Sequence, residues 1–198
     1  MLKRLAVVLC LAILTGCSTT SVGLKYGVSA GDKPGKYEVP VLPVSVGVFT
    51  DKRHDSPTWL GAVRGGFGNP LKTLESSQPV SNVIQTAYID ALKAKGVTID
   101  AAAPLQISGT ILDLNCTQMA HREATAMIEV TVAEQSTGKI RLTQKYSAKN
   151  INDSGTARGV FASVEDLRLI LEKTMREVVD KTLADSAFIA ALSQSSVN

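Results

Sequence analysis

Hydrophobic and polar residues alternate along four segments of the chain in the manner of β-strands. The segments cover residues 39–49, 105–114, 123–134 and 139–147. A period of two places the apolar side chains of a strand on one face of a sheet, where they can be buried. The last two segments are separated only by a short turn that contains Gly138, so they predict an antiparallel hairpin with one solvent-facing side.

Two other segments have the 3.6-residue apolar period of amphipathic helices. They cover residues 79–95 and 163 to about 183. Gly96 suits the position just past the end of the first helix, and Ser163 with Asp166 suits the start of the second. The order strand, helix, three strands, helix predicts an α+β fold. In this two-layer fold, two helices pack on one face of a mostly antiparallel four-stranded sheet.

The segment between the first strand and the first helix, residues 50–78, is rich in Pro and Gly and is predicted to be a long loop. Loops of this length in compact domains are usually functional or disordered. Trp59 and Phe67 give the loop aromatic content that a solvated linker would lack. Either they cover the local core, or they are partner-binding residues that contact a protein or lipid.

The N-terminus has the pattern of a secretory signal peptide. Lys3 and Arg4 precede ten uninterrupted apolar residues, 5–14, which are too few to span a membrane as a helix. The sequence Leu14-Thr15-Gly16-Cys17 follows and resembles a bacterial lipobox. The resemblance implies cleavage before Cys17, a diacylglycerol on its sulfur and a fatty acid such as palmitate on the new N-terminus.

Three regions are therefore expected. Residues 1–16 are a cleaved lipoprotein signal peptide, residues 17–36 are the lipidated Cys and a flexible tether, and residues 37–198 are a single periplasmic domain. The tether assignment depends on the small, polar, Gly- and Pro-rich composition after Cys17. Ser18 stands where retention in the inner membrane usually requires Asp. By resemblance to that sorting rule, the protein is expected to be lipid-anchored to the outer membrane, on its periplasmic face.

Composition narrows the classes of partner. Among 198 residues, 21 are basic and 18 are acidic, which gives a formal net charge of +3. This balance is too weak to indicate a nucleic-acid partner. Only Cys116 would remain as a free thiol after signal cleavage and lipidation, so no internal disulfide is expected.

Cys116 and His121 could form a thiol–imidazole pair only if they were in hydrogen-bond contact and a third group oriented the imidazole. Their odd separation places them on opposite faces of a continuous strand. A buried thiol and a loop histidine are the favoured interpretation. No catalytic residue is assigned, and the protein is not expected to be an enzyme.

Asp51, His54 and Asp55 could offer metal ligands, but zinc sites usually recruit three or four His, Cys or carboxylate groups, and the chain has two histidines. Local hydrogen bonds between Asp51 and Arg53 are the preferred interpretation. The Gly-rich stretch 61–68 lacks the spacing of a phosphate-binding loop. No metal and no cofactor are expected.

The whole sequence resembles the YajG-like family of bacterial outer-membrane lipoproteins. The features that carry the resemblance are the lipobox, the Val-rich strand leading to Asp51-Lys52-Arg53, the helix ending in Lys95-Gly96, Leu105-Gln106-Ile107, the alternation over residues 124–132, Gly138, Lys145-Tyr146 and Gly159-Val160-Phe161-Ala162-Ser163. The resemblance implies location and architecture, and it supplies no activity.

The function expected from the sequence is that of a non-enzymatic accessory or scaffold protein. It would be held at the membrane by its N-terminal lipid and would bind a protein of the cell envelope. The alternative is a binder or shuttle that carries a lipid or another hydrophobic ligand between its helices and its sheet. An envelope hydrolase that uses Cys116 and His121 is the third hypothesis.

Overall fold

In the computed structural model, which describes residues 18–27, 35–153 and 162–193, helices cover one face of a mixed seven-stranded sheet. The strands are β1 (Ser18–Val22), β2 (Val44–Asp51), β3 (Trp59–Arg64), β4 (Pro70–Ser76), β5 (Leu105–Gln118), β6 (Arg122–Glu134) and β7 (Ile140–Asn152). The helices are α1 (Val80–Ala94), α2 (Val164–Ala184) and α3 (Ser186–Leu192). The α+β class is as expected, but the sheet is larger than the predicted four strands, and a third helix follows α2.

The sheet has the strand order β1-β4-β3-β5-β6-β7, and β2 also pairs with β5. Val44 of β2 lies opposite Leu105, and Gly61 of β3 lies opposite Cys116, so β2 and β3 follow one another along the same edge of β5. The pairings β1·β4, β2·β5 and β3·β5 are parallel, and the other three are antiparallel. The sheet is therefore mixed, and the predicted mostly antiparallel arrangement holds for only half of its strand pairings.

The predicted hairpin is confirmed as β6 and β7. Alternate residues of β6 are buried beneath the helices, as the period of two required. On the opposite face, Glu129 lies 3.6 Å from Lys145. Arg141 lies 3.0 Å from Glu134 and also donates to the Ala191 carbonyl oxygen in the helix layer. Exposed cross-strand pairs of this kind contribute a few tenths of a kcal/mol each, so the buried face provides most of the stability.

Both predicted helices are confirmed. Gly96 follows α1 with a φ of +79°, and the Ser163 side chain accepts a 3.2 Å hydrogen bond from the Asp166 backbone N–H at the start of α2. The two helices meet through a buried 2.9 Å hydrogen bond between Tyr88 and Thr182. Their apolar stripes thus close one continuous core against the sheet.

The segment 50–78 is not a long loop, because it contains the antiparallel strands β3 and β4. β3 lies between β4 and β5, so its central residues are buried without any polar alternation. Gly61 has a φ of +149°, and a Cβ at this position would collide with the carbonyl oxygen of Cys116. A glycine that resembles a loop signal in the sequence therefore permits close packing of two strands.

Residues 18–27 do not behave as the flexible tether expected over residues 17–36. The strand β1 pairs with β4, and Leu24 and Tyr26 are buried in the core. The Tyr26 hydroxyl donates a hydrogen bond to Asp180 of α2, which joins this segment to the helix layer. Residues 28–34 of the expected tether, and the signal peptide with Cys17, lie outside the described residues.

Candidate functional site

The two aromatic residues selected from the sequence lie in different surroundings. Trp59 begins β3 and is partly buried beside the middle of β5. Phe67 lies in the turn between β3 and β4, and its side chain is completely exposed, with a relative accessibility of 102%. Strand rise alone separates Trp59 from Arg64 by about 17 Å. The structure therefore does not bring the two aromatic residues together in one patch.

A buried arginine positions the start of β3. The Arg53 guanidinium donates hydrogen bonds to the carbonyl oxygens of Trp59 at 2.7 Å and Leu114 at 3.0 Å. It also donates to both carboxylate oxygens of Asp51, at 3.0 and 2.8 Å. Burial by itself would raise the pKa of Asp51, but the hydrogen bonds and charge of Arg53 outweigh it and lower that pKa. The expected local bonding of Asp51 and Arg53 is confirmed.

Two turns lie side by side at one end of the sheet. Because β3 and β5 are parallel, with Val63 opposite Gln118, the β3–β4 turn (residues 65–69) adjoins the β5–β6 turn (residues 119–121). The last residues of β7 reach the same end, where Asn152 pairs with Arg122. We term this region, with the N-terminus of α2, the hairpin end.

The hairpin end concentrates exposed apolar side chains. Four large hydrophobic residues there are exposed, with relative accessibilities of 102% for Phe67, 50% for Met119, 53% for Ile151 and 49% for Leu169. They come from four separate connections or elements, so no stretch of the sequence shows them as a group. Clustered apolar residues at a surface indicate a contact with a protein or a membrane.

The first described strand begins at the hairpin end. Ser18 lies opposite Lys72, only two residues after the start of β4, and β1 runs parallel to β4 away from the turns. Residues 1–17 therefore join the domain at the hairpin end. Among the described residues, no helix is long and apolar enough to cross a bilayer.

A cleft of about 280 Å³ opens between the ends of β6 and β7 and the first turns of α2. Its floor carries an ion pair of 2.6 Å between Arg122 and Asp166, and Arg122 also donates a 3.1 Å hydrogen bond to Gln118. Asn150, which lines the same cleft, donates to Thr174 at 3.1 Å. These polar groups bind one another and tie the hairpin β6–β7 to α2.

Cys116 and His121 do not form a catalytic pair. The Cys116 thiol is buried and donates a 3.3 Å hydrogen bond to the Leu60 carbonyl oxygen. Burial raises the pKa of this thiol to about 12, so the nucleophilic thiolate is scarce near neutral pH. His121 lies in the exposed β5–β6 turn, 3.5 Å from Glu123. The interpretation as a buried thiol and a loop histidine is confirmed.

The other chemical candidates are part of the fold. Asp51 is held by Arg53, while His54 and Asp55 are exposed in the segment after β2. Within the described part of the chain, no group of three His, Cys, Asp or Glu side chains could hold a metal ion. The Gly-rich stretch 61–68 consists of β3 and part of its turn.

The space that a hydrophobic ligand would need between helices and sheet is filled by the protein's own side chains. Tyr88 of α1 stacks on Phe49 of β2, with ring centroids 4.8 Å apart. Leu92 of α1 and Leu171 of α2 have no accessible surface. The structure thus offers no specific support for the shuttle hypothesis at this position.

Sequence reasoning identifies Phe67 as a candidate but misses Met119, Ile151 and Leu169. Their exposure is not visible in their local patterns, because each follows or belongs to an otherwise ordinary amphipathic element. Only the register of β3, β5, β6 and β7 shows that they share one end of the molecule. Only a correct prediction of which strands pair would have shown that these three residues lie near Phe67.

The model of a family described as uncharacterized lipoprotein matches residues 43–193. The match spans most of the chain, and the chain belongs to this lipoprotein family. No curated protein matches the sequence.

Solved bacterial proteins resemble this chain to different degrees, and one of them shares its fold. Protein XCC0632 from Xanthomonas campestris is 11% identical, with a TM-score of 0.59 over 88% of this chain and 96% of that protein. PelC from Paraburkholderia phytofirmans, solved as a dodecamer, is 12% identical, with a TM-score of 0.45 over 71% of this chain and 89% of PelC. Lipoprotein GNA1162 from Neisseria meningitidis is 7% identical, with a TM-score of 0.40 over 70% of this chain and 99% of that protein. At these identities, the likeness to XCC0632 concerns the fold alone.

Proposed function

We propose that this lipoprotein is a non-enzymatic accessory protein of the bacterial envelope. Lipid on Cys17 would anchor it to the periplasmic face of the outer membrane, where it would hold a partner protein close to that membrane. We further propose that it is a YajG-like member of the lipoprotein family. Identification of the partner would show which pathway the protein serves.

The family match over residues 43–193 is the observation that carries the proposal. It concerns the folded domain, which is independent of the N-terminal lipobox Leu14-Thr15-Gly16-Cys17. Two separate parts of the chain therefore point to the same class of protein. Ser18 in place of Asp supports the outer membrane as the destination.

The proposed contact surface lies in the segment 50–78, with Trp59 and Phe67 as the candidate residues. Aromatic side chains contribute much of the free energy of contacts with proteins and membranes. The complete exposure of Phe67 in a turn supports this choice, because a side chain so placed contributes little to the core. Trp59 is the candidate closer to the centre of the sheet.

Fractionation of intact cells tests the anchor. The wild-type protein should be found in the outer-membrane fraction, and its N-terminal peptide should carry the mass of the acyl chains. Cys17→Ser should remove that mass and release the protein from the membrane pellet. Cys10→Ser, in the signal peptide, is the matched control and should change neither result. Retention of Cys17→Ser in the outer membrane would contradict the proposal.

Crosslinking in the same strains tests the accessory role. A partner should crosslink to the wild-type protein, and the crosslink should weaken when Trp59→Ala and Phe67→Ala are introduced singly. Ile140→Ala, which alters an exposed residue at the other end of the sheet, is the control. If both aromatic variants retain the same partners, the segment 50–78 is not the contact surface.

A further inference from the structure

The hairpin end is the part of the domain that an anchor at position 17 would hold nearest to the bilayer. Residue 17 is bonded to Ser18, so the two Cα atoms are about 3.8 Å apart. Ser18 is fixed in the sheet by its pairing with Lys72, beside the start of β4. A lipid at position 17 would therefore be connected to the hairpin end without an intervening tether.

The same end carries the exposed apolar side chains. Phe67 and Met119 occupy neighbouring turns, and strands in a sheet are about 4.8 Å apart, so the two turns are close enough to meet one flat surface together. Ile151 of β7 and Leu169 of α2 are further exposed apolar side chains at this end. The position where the proposed anchor would attach and several exposed apolar side chains thus share one end of the sheet.

The turn that contains Phe67 is suited to entering a membrane interface. The Gly65 N–H donates to the Asn69 carbonyl oxygen at 2.8 Å, and the Gly68 N–H donates to the Gly65 carbonyl oxygen at 2.9 Å. Because these backbone groups are bonded within the turn, they need not be desolvated without partners. The Arg64 guanidinium donates a 3.0 Å hydrogen bond to the Gly68 carbonyl oxygen, which places a positive charge beside the turn, where it would attract lipid phosphates.

We propose that the hairpin end docks against the lipid bilayer, with the Phe67 ring inserted in the membrane interface and the strands directed away from it. This inference deepens the proposed function and rests on lipidation at Cys17. It assigns lipid as the direct contact of Phe67, so Phe67→Ala would weaken a protein crosslink only by loosening the orientation of the domain, and Trp59 remains the candidate for the protein contact. The turn between β6 and β7 and the helix α3 then face the periplasm.

Tryptophan fluorescence tests this orientation directly, because Trp59 is the single tryptophan of the chain. The variant Trp59→Phe/Phe67→Trp places the sole fluorophore in the β3–β4 turn. Its matched control, Trp59→Phe/Ile140→Trp, places it at an exposed position at the other end of the sheet. Full-length lipidated proteins are reconstituted into vesicles of phosphatidylethanolamine and phosphatidylglycerol, with and without brominated acyl chains. Equal urea midpoints verify that both variants fold.

The fluorophore at position 67 should lose most of its emission to the brominated lipids and emit at a shorter wavelength. The fluorophore at position 140 should be quenched little and emit as in water. Equal and weak quenching at both positions, in protein whose acyl mass is present, would overturn the orientation and leave the anchored accessory role intact. A missing acyl mass on the reconstituted protein would overturn both proposals.

Discussion

The Arg53 side chain holds three strands together through its hydrogen bonds. Its side chain is only 2% exposed, and its hydrogen bonds reach the end of β2, the start of β3 and the middle of β5. A buried guanidinium is costly unless its donors are satisfied and its charge is paired. Asp51 provides the charge, and the carbonyl oxygens of Trp59, Leu114 and Ser56 accept the remaining hydrogen bonds.

Asp51→Asn should lower the free energy of unfolding by about 2 kcal/mol near pH 7, because it leaves the Arg53 charge unpaired. The folded-state pKa of Asp51 is lowered from its ordinary value of 3.8. The stabilisation is therefore present above that value and is lost as the pH falls through the folded-state pKa. Urea unfolding at about pH 7 and about pH 3 should show that the difference between variant and wild type shrinks in acid.

Asp55→Asn, in the exposed segment after β2, is the control for this measurement. It should change the urea midpoint little at either pH. A difference between Asp51→Asn and wild type that stays constant with pH would show that the carboxylate charge is not what Arg53 requires.

At the scale of elements, the sequence predicts those helices and strands that bury one face and expose the other, because their apolar residues recur with a regular period. The helix over residues 80–94 and the strand over residues 122–134 show their apolar periods directly, and both predictions are confirmed. β3 escapes prediction because it is buried without alternation and contains Gly61. β1 escapes prediction because Ser18-Thr19-Thr20-Ser21-Val22 has a polar edge-strand sequence whose stability comes from pairing with the distant β4.

The same distinction applies to the candidate site. The Gly-rich sequence around Phe67 is by itself typical of an exposed loop. The neighbourhood of Phe67 could not be predicted, because Met119 reaches it through the parallel pairing of β3 with β5, and parallel partners are distant in sequence. The composition of residues 18–27 is typical of a tether, while Leu24 and Tyr26 provide the burial that orders them.

Leu24→Ala should destabilise the protein by about 2 to 3 kcal/mol, because Leu24 is nearly fully buried in the core. Urea unfolding of the full chain measures the change. Val48→Ala removes two carbon atoms, against three for Leu24→Ala, at a position that is 72% exposed, and it should cost less than about 0.5 kcal/mol. If the two variants unfold alike, residues 18–27 contribute nothing to the core and behave as the flexible tether after all.

At the scale of the whole molecule, the direct connection between position 17 and β1 would determine what the proposed anchor does. A long tether would hold the domain near the membrane without orienting it. An anchor bonded to a paired strand would keep one end of the sheet at the bilayer, so that a weak apolar contact by Phe67 would act at a high effective concentration. Anchor and turn thus form a two-point contact in the proposed orientation.

A flexible Gly-Ser segment inserted between Cys17 and Ser18 separates the two contacts. The inserted segment begins with Ser, so that the residue after Cys17 is unchanged. The lipid should still retain all the protein in the membrane pellet, whereas quenching by brominated lipids at position 67 should fall as the segment lengthens, because the effective concentration of the turn at the bilayer falls. An insertion of equal length between Ser136 and Thr137, in the β6–β7 turn, should leave the quenching unchanged. Undiminished quenching with the longest N-terminal insertion would mean that the turn binds lipid without help from the position of the anchor.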